Sequence, residues 1–400
     1  MLWLAITVPL ALRVLTIEPV TLAGDAAPPP PPPAFDPARP TAAILLSQAG
    51  TEITDFLAPY AILAESGAFN VVAVAPTSAV APTNGRLGIV PQLTLAAFDA
   101  AHPEGPAVVI VPNLLDPDNA VVGDWLRARR ERGAVLASIC EGARVLAHNG
   151  FLDGHAATTH WAALASLRDS HPRVRWRDDR RVVDDGPVIS SAGVTAGIDA
   201  ALHVVERFAG AAAARRSAEA LALPPPGSAA AVAPRLTAGS VAAGVLNGAF
   251  AWPKTRVAVQ LSDGIDELAV AAVLDAYPRS FAAVARSVAP GRVAMRSRHG
   301  LLLVPVGDSV GAGDDVVVLP DVANDRFFAY ERVLTDLARR YDGATAALVA
   351  AQLEYAWPLP AAPALRPAPL LGLSALLAAG ALAGAAIAAR RRSSARHRDG

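Results

Sequence analysis

The side chain best suited to chemistry is Cys140, the only cysteine among the 400 residues. It stands in the run Val135-Leu-Ala-Ser138-Ile-Cys140-Glu-Gly142, where an apolar segment of strand length leads into a helical pattern. Small residues two positions before and after a central residue are typical of a nucleophile elbow, a sharp strand–turn–helix that exposes the central side chain. The start of the following helix also favours a thiolate. The alternative is a cysteine that serves only as a small core residue.

Alternating strand and helix patterns surround this turn. The predicted strands are Ala42–Ser47, Val71–Ala75, Ala107–Val111, Ala134–Ile139 and Val188–Ser190. The predicted helices are Phe56–Ser66, Asn119–Arg132, Gly142–His148 and Thr195–Phe208. The alternation predicts an α/β fold with a doubly wound, parallel, flavodoxin-like sheet. Ligands bind at the carboxyl edge of such sheets, which is where the elbow would lie.

Several motifs taken together resemble the ThiJ/PfpI superfamily, whose members have a class I glutamine-amidotransferase-like fold. They are Ser138-Ile-Cys140-Glu-Gly142-Ala, Gly150-Phe-Leu-Asp-Gly154, Ala157-Thr-Thr-His160-Trp161 and Gly193-Val-Thr-Ala-Gly197. The most similar branch is the one found as sensor domains of AraC-type regulators, which also includes isonitrile hydratases. The resemblance covers residues 41–209.

The resemblance implies roles for three residues. Cys140 would be the reactive thiol, and Asp55 would approach it from the first strand–helix loop as a protonated hydrogen-bond donor or general acid/base. His160 matches a histidine near the cysteine in several relatives. From position alone, Asp55 could instead be a helix N-cap ahead of Phe56, and His160 could either polarise the thiol or cap the structure beside Trp161.

Two departures from the family pattern limit the activity that the resemblance implies. Glu141 follows the cysteine, where proteases of the superfamily have His and the regulator-like branch usually has Thr. A carboxylate there opposes thiol ionisation unless a cation such as Arg144 neutralises it. Protease activity, which needs the missing His as base, is not expected. No AraC-type helix-turn-helix pattern follows Ala209. Whether the chain is an enzyme therefore stays open: it is either a hydrolase or hydratase acting on a small molecule, or a non-catalytic sensor or binding module. A purely structural, membrane-tethered role is the third alternative.

Linkers and apolar segments divide the chain. Residues 1–24 are a signal-like or anchor segment, 25–40 a Pro-rich linker, 41–210 the ThiJ/PfpI-like domain and 211–235 a second linker. Residues 368–389 lack charges and are long enough to cross a bilayer, while 390–400 form a basic tail. The arginines of the tail predict a cytoplasmic C-terminus and extracytoplasmic folded domains. An Ala-rich buried helix and a cytoplasmic, tail-anchored body are the alternatives.

Residues 236–358 are predicted to be a degenerate, partial second copy of the first domain. Thr255-Arg-Val-Ala-Val-Gln-Leu-Ser262 is similar in pattern to the segment that starts at Thr41, and Gly300-Leu-Leu-Leu-Val-Pro305 is similar to Gly88-Ile-Val-Pro91. No strand–Cys–Gly turn follows in this segment. An unrelated α/β extension is the alternative.

Composition narrows the partners. The net charge of −1 argues against a nucleic-acid partner, which would require a basic face. The histidines lack the spacing of a metal site, and no P-loop or dinucleotide fingerprint occurs, so neither metal nor cofactor is predicted. The expected partners are a small-molecule ligand and, through the C-terminal helix, a membrane; a homodimer is left open.

Overall fold

The computed structural model describes residues 35–225, 236–317 and 328–356. The predicted anchor of residues 1–24 and the predicted membrane helix of residues 368–389 lie outside these ranges. Within the ranges, no helix combines the length and the apolar character needed to cross a membrane.

A seven-stranded sheet forms the centre of the first α/β unit. The strands of this unit are, in chain order, β1 Thr41–Leu45, β2 Asn70–Ala75, β3 Ala81–Pro82, β4 Leu87–Val90, β5 Leu93–Thr94, β6 Val108–Val111, β7 Val135–Ser138, β8 Ala156–Ala157, β9 Arg175–Trp176, β10 Val182–Asp184 and β11 Val188–Ser191. The order across the sheet is β10-β11-β7-β6-β1-β2-β5. All pairings are parallel except that of β10 with β11. The sheet is therefore mixed at one edge and not wholly parallel as predicted, because a turn at Gly186, with φ 75°, folds β10 back on β11.

Helices cover both faces of this sheet and bury its apolar strands. They are α1 Ile53–Glu65, α2 Leu95–Ala101, α3 Ala120–Glu131, α4 Ala143–His148, α5 Trp161–Ser170, α6 Ala196–Ala209 and α7 Ala211–Ala220. All residues of β1, β6, β7 and β11 are buried, as expected of strands covered on both faces. The α/β fold class is confirmed. The strands that carry the site lie within one or two residues of their predicted positions.

Helix α7 occupies part of the predicted linker of residues 211–235. Its buried residues Ala213, Ala214, Ser217 and Ala218 recur at helical spacing and form one apolar stripe. The predicted linker of residues 211–235 therefore begins with a helix. The alanines that suggested an Ala/Pro-rich linker also give a high helix propensity.

A second α/β unit follows. Its elements are α8 Ala238–Phe250, β12 Thr255–Gln260, α9 Glu267–Arg279, β13 Ala283–Val288, β14 Met295–Arg296, β15 Leu302–Pro305, β16 Asp314–Val317, α10 Ala329–Arg340 and α11 Gly343–Gln352. Its parallel sheet has the order β13-β12-β16, which is also the order of β2-β1-β6 in the first unit. A separate antiparallel sheet, β14-β15-β4-β3, joins the two units, and one apolar core extends through both.

The helix in the predicted linker can be tested with two substitutions. We expect Ala214→Glu to lower the free energy of unfolding by about 2–4 kcal/mol, because it places a charged side chain in a fully buried position. The exposed neighbour Arg215→Glu serves as the control and should change stability by no more than about 0.5 kcal/mol. Urea unfolding of the two variants decides the question, since equal and small effects would mean that residues 211–220 are an unpacked linker.

Candidate site at Cys140

The turn at Cys140 has the strained backbone of a nucleophile elbow. Strand β7 ends at Ser138, a single 3-10 turn spans Cys140–Gly142, and α4 follows at once. Cys140 itself has φ 55°, a left-handed conformation that non-glycine residues rarely adopt. A Cβ atom on Gly142 would lie 2.0 Å from the carbonyl oxygen of Val111, so only glycine fits there. The glycine two positions after the cysteine is therefore required for steric reasons.

Asp55 lies in the first turn of α1 and is fully buried. Its Oδ2 accepts a hydrogen bond from the backbone N–H of Asn113 at 3.2 Å. Its Oδ1 is buried without a hydrogen-bond partner among the described atoms. The N-cap of α1 is Glu52, whose Oε2 accepts from the Asp55 N–H at 2.6 Å. The alternative that Asp55 caps the helix is therefore wrong; Glu52, three residues earlier, does so.

Burial sets the protonation of this site. It raises the pKa of Asp55 well above the usual range, and the adjacent Glu52 adds to the rise. Burial, helped by Asp275, also raises the pKa of Glu52 to about 8. The pKa of the Cys140 thiol is raised well above its usual range, first by burial and then by nearby carboxyl groups, those of Asp55 and Glu141 foremost. At neutral pH the site therefore favours a protonated thiol.

Glu141, next to the cysteine, forms an ion pair with Arg144. The Arg144 Nε–Glu141 Oε2 distance is 2.6 Å. Arg144 is therefore the cation that pairs with Glu141, a role that the sequence alone could not decide. Both side chains are partly exposed, so solvent screens the pair, and Glu141 still contributes to the raised thiol pKa.

His160 caps a helix beside the site. As N-cap of α5, it accepts at Nδ1 from the backbone N–H of Ala162 at 3.3 Å. Its Nε2 lies 3.1 Å from the carbonyl oxygen of Gln352, which requires that nitrogen to carry the proton. Burial lowers the pKa of His160 and favours the neutral ring, although Glu354 opposes the shift. Both ring nitrogens are engaged, which favours the capping alternative over polarisation of the thiol.

The second α/β unit contributes polar residues to the same network, and the sequence analysis missed them. Arg279, near the end of α9, donates to Glu52 Oε1 at 3.0 Å and to Asp275 Oδ1 at 2.7 Å. Asp275 Oδ2 in turn accepts from the Thr54 hydroxyl at 2.8 Å. The available signal was an Asp–Arg pair four residues apart in a helix whose other residues after Glu267 are apolar or aromatic, where an unpartnered charge would be costly.

The chain just after α11 covers the other side of the site. Glu354 is 2% exposed, has φ 49°, and accepts at Oε1 from the Trp161 backbone N–H at 3.0 Å. The Trp161 indole N–H donates to the carbonyl oxygen of Ala351 at 3.2 Å. Arg181 donates to the Glu354 carbonyl oxygen at 2.6 Å. A Cβ atom on Gly193 would lie 2.0 Å from the His160 ring and 2.8 Å from the Glu354 carboxyl, so a glycine is needed where these side chains meet.

Comparison with known proteins identifies the first unit. Residues 41–207 match the DJ-1/PfpI family. This part of the chain belongs to that family.

Within the described residues, no group of three or more His, Cys, Asp and Glu side chains is arranged to hold a metal ion.

Relatives of the DJ-1/PfpI domain have different overall organisations. The HTH-type transcriptional regulator CdhR of Pseudomonas aeruginosa is 40% identical over 86 residues, which are 22% of this chain and 25% of the regulator. The isonitrile hydratase of Pseudomonas putida is 37% identical over 87 residues, 22% of this chain and 37% of the hydratase. Protein dj-1beta of Drosophila melanogaster is 28% identical over 173 residues, 42% of this chain and 89% of that protein. The chain thus spans only a quarter to about a third of the regulator and the hydratase.

A solved structure of Drosophila melanogaster DJ-1beta aligns at 24% identity with a TM-score of 0.42, covering 46% of this chain and 99% of that chain.

The protonation of the DJ-1/PfpI site predicts how its only thiol reacts. We expect alkylation of Cys140 by iodoacetamide to be slow and its rate to keep rising above pH 9, whereas an unperturbed thiol titrates near ~8.5. Glu354→Gln should move the profile to lower pH, since it removes one carboxyl group that disfavours the thiolate. Glu104→Gln, at an exposed carboxyl, is the control. A rate that levels off near pH 7 in the native protein would contradict this account.

Proposed function

We propose that the DJ-1/PfpI domain is a small-molecule sensor in which Cys140 lines the binding site as a neutral thiol. The observation that carries the proposal is the burial of this thiol among carboxyl groups, which raises its pKa. A cysteine nucleophile reacts as the thiolate, and the environment disfavours that form. The same environment suits recognition, which requires shape and hydrogen bonds but no ionised sulfur.

Asp55 supports a polar, uncharged ligand. Its Oδ1 is buried and unpartnered among the described atoms, and such an atom normally has a hydrogen-bond partner. A raised pKa means that the carboxyl can donate as well as accept at neutral pH. A ligand that bears a carbonyl, hydroxyl or amide group would satisfy it, and a formal charge would be costly in a fully buried site.

Glu354 supports a link between binding and movement. The segment that includes this residue lies over the loops next to Cys140 and is held there by a few hydrogen bonds. A ligand that reaches the thiol from this side would displace the segment around Glu354. Signal transfer of this kind fits the sensor half of a larger protein.

The regulators among the relatives support sensing, and they also affect an earlier prediction. CdhR and GbdR of Pseudomonas aeruginosa are HTH-type transcriptional regulators. The absence of a nucleic-acid partner is therefore not supported by the relatives and remains a prediction from charge alone. A small-molecule partner is plausible for the family.

The second candidate function is hydration of a small electrophile by Cys140 with Asp55. The strained φ of 55° at Cys140 favours it, since backbone strain concentrates at active sites. A protonated Asp55 could also serve as general acid. One of the relatives is an isonitrile hydratase.

One experiment separates the two functions. The purified full chain is incubated with an alkyl isonitrile, and the N-substituted formamide that hydration would yield is measured. In parallel, melting temperatures are recorded against a panel of small amides and alcohols. We expect no formamide, and at least one compound that raises the melting temperature of both wild type and Cys140→Ala but not of Asp55→Ala. Formamide formed by wild type and lost in Cys140→Ser would establish the enzyme instead.

We also propose that residues 368–389 anchor the protein in a membrane, with the folded units outside the cytoplasm. The uncharged length of this segment and the arginines after it support the proposal. A green fluorescent protein fused after Gly400 should fluoresce, and alkaline phosphatase fused at the same point should be inactive, because both would lie in the cytoplasm. Active phosphatase at this position would reverse the orientation.

A further inference from the structure

The two α/β units share local geometry at matching positions. A parallel bridge joins Thr51 to Thr83 in the first unit, and an equivalent bridge joins Ile265 to Ser297 in the second. Both residues of the second bridge lie 214 positions after their counterparts in the first. The turn after each bridge also recurs, since Thr83 N–H donates to the Leu87 carbonyl and Ser297 N–H to the Leu301 carbonyl. With the shared strand order, this defines which residues of the two units are equivalent.

By the same displacement, Ile89 is equivalent to Leu303, and these two residues are direct partners in the antiparallel pairing of β4 with β15. On either side of them, Gly88 pairs with Val304 and Val90 with Leu302. Gly88 is equivalent to Leu302 and Val90 to Val304, so each flanking pair is the counterpart of the other. Exchanging each residue for its equivalent in the other unit therefore reproduces the same set of pairs. Such a self-complementary contact is typical of a two-fold interface.

Helices extend the same symmetry. Helix α1 follows the first strand of its unit, α9 follows β12, and the two helices pack against each other in one apolar core. We call the contact of α1 and β4 with α9 and β15 the intrachain interface. Its central residues Ile89 and Leu303 are fully buried.

We propose that residues 255–305 are a built-in partner: a second copy of residues 41–91 that packs against the first about a pseudo-two-fold axis. We propose further that Arg279 of this copy is a positioning residue of the Cys140 site, acting through Glu52 on the backbone of Asp55. The interface does not depend on the proposed sensing function, and either can fail alone.

The hydrogen bonds around Arg279 support its proposed role as a positioning residue. Arg279 donates to Glu52 Oε1 while Glu52 Oε2 accepts from the Asp55 N–H, so one carboxyl group joins the second copy to the site residue. The charged and titratable groups around Glu52 are Asp55 on its own helix, Asp275 and Arg279 on α9, Tyr330 on α10 and Cys140 at the elbow.

The counterpart contact at the other end of the interface uses a different cation. The equivalents of Glu52 and Arg279 are Asp266 and Glu65, both acidic. Arg298 joins them, 3.1 Å from Glu65 and 3.8 Å from Asp266. Both ends therefore keep an acid–arginine contact, but only the end at Glu52 leads to a cysteine.

Cysteine cross-linking tests the built-in partner in the full chain, purified in detergent, on a Cys140→Ala background that removes the native thiol. We expect the double variant Ile89→Cys/Leu303→Cys to form a disulfide within one chain under mild oxidation. The single variant Ile89→Cys should form no cross-link between chains, because its face is occupied. A chain-to-chain cross-link in the single variant, or no intrachain bond in the double variant, would overturn the proposal.

The pH dependence of unfolding tests Arg279. Glu52 binds its proton more tightly in the folded chain, so stability falls as pH rises from about 4.5 toward about 8. Because Arg279 lowers the pKa of Glu52, Arg279→Met should move the upper end of this window up by about one pH unit or more. Arg279→Lys, which keeps the charge, should largely restore it.

Arg340→Met, at a partly exposed ion pair of the same unit, is the control and should leave the window in place. If Arg279→Met also leaves it unchanged, or if Arg279→Lys behaves like Arg279→Met, Arg279 is not a positioning residue for Glu52. A clear shift of the window in Arg279→Lys relative to wild type would also contradict the proposal, and this comparison does not require Arg279→Met to fold.

Discussion

Two buried carboxyl groups share one guanidinium in this protein, a third lies beside them, and this imbalance of charge governs the site. Arg279 donates to Glu52 and Asp275, and Asp55 lies next to Glu52. The three acids are at most 5% exposed and Arg279 is 9% exposed. Ionising all three acids would leave two negative charges without a partner in a low-dielectric environment, at a cost of several kcal/mol each. Burial and mutual repulsion therefore raise the pKa values of Glu52 and Asp55, which favours their protonated forms at neutral pH, and these two coupled groups titrate together.

The same imbalance connects the site to the fold. Helix α1 begins where it does because Glu52 caps it, and Glu52 keeps its position because α9 brings Arg279 within hydrogen-bonding distance. Burial and the surrounding carboxyl groups disfavour a thiolate at Cys140, despite its position at the start of a helix. An elbow shaped for a nucleophile is thus combined with an electrostatic environment that holds the sulfur neutral.

Local features of the sequence predicted the parts of the fold that depend on local physics. The strands leading to Ser47 and Ser138 were found because fully buried strands are continuous apolar runs. The elbow was found because the small residues Ser138 and Gly142 flank Cys140 at two positions on either side, which is a local sequence pattern. The contact that requires glycine at position 142, with the carbonyl oxygen of Val111, is visible only in the structure. What could not be predicted depends on distant contacts. The Glu52–Arg279 pair joins positions 227 residues apart, and the choice between two roles for His160 depended on the carbonyl of Gln352.

In the proposed built-in pair, equivalent positions need not carry the same residue, and the most consequential difference is that Arg279 stands where the first copy has Glu65. When two identical chains pair, every substitution appears twice, and an arginine gained at one end of the contact is also gained at the other. In a single chain each half mutates alone. The end near Cys140 can therefore be adjusted without altering its counterpart, and a covalent connection keeps the halves together at an effective concentration that no dilution reduces. One half is free to lose its chemistry and become a support, while selection acts on the other.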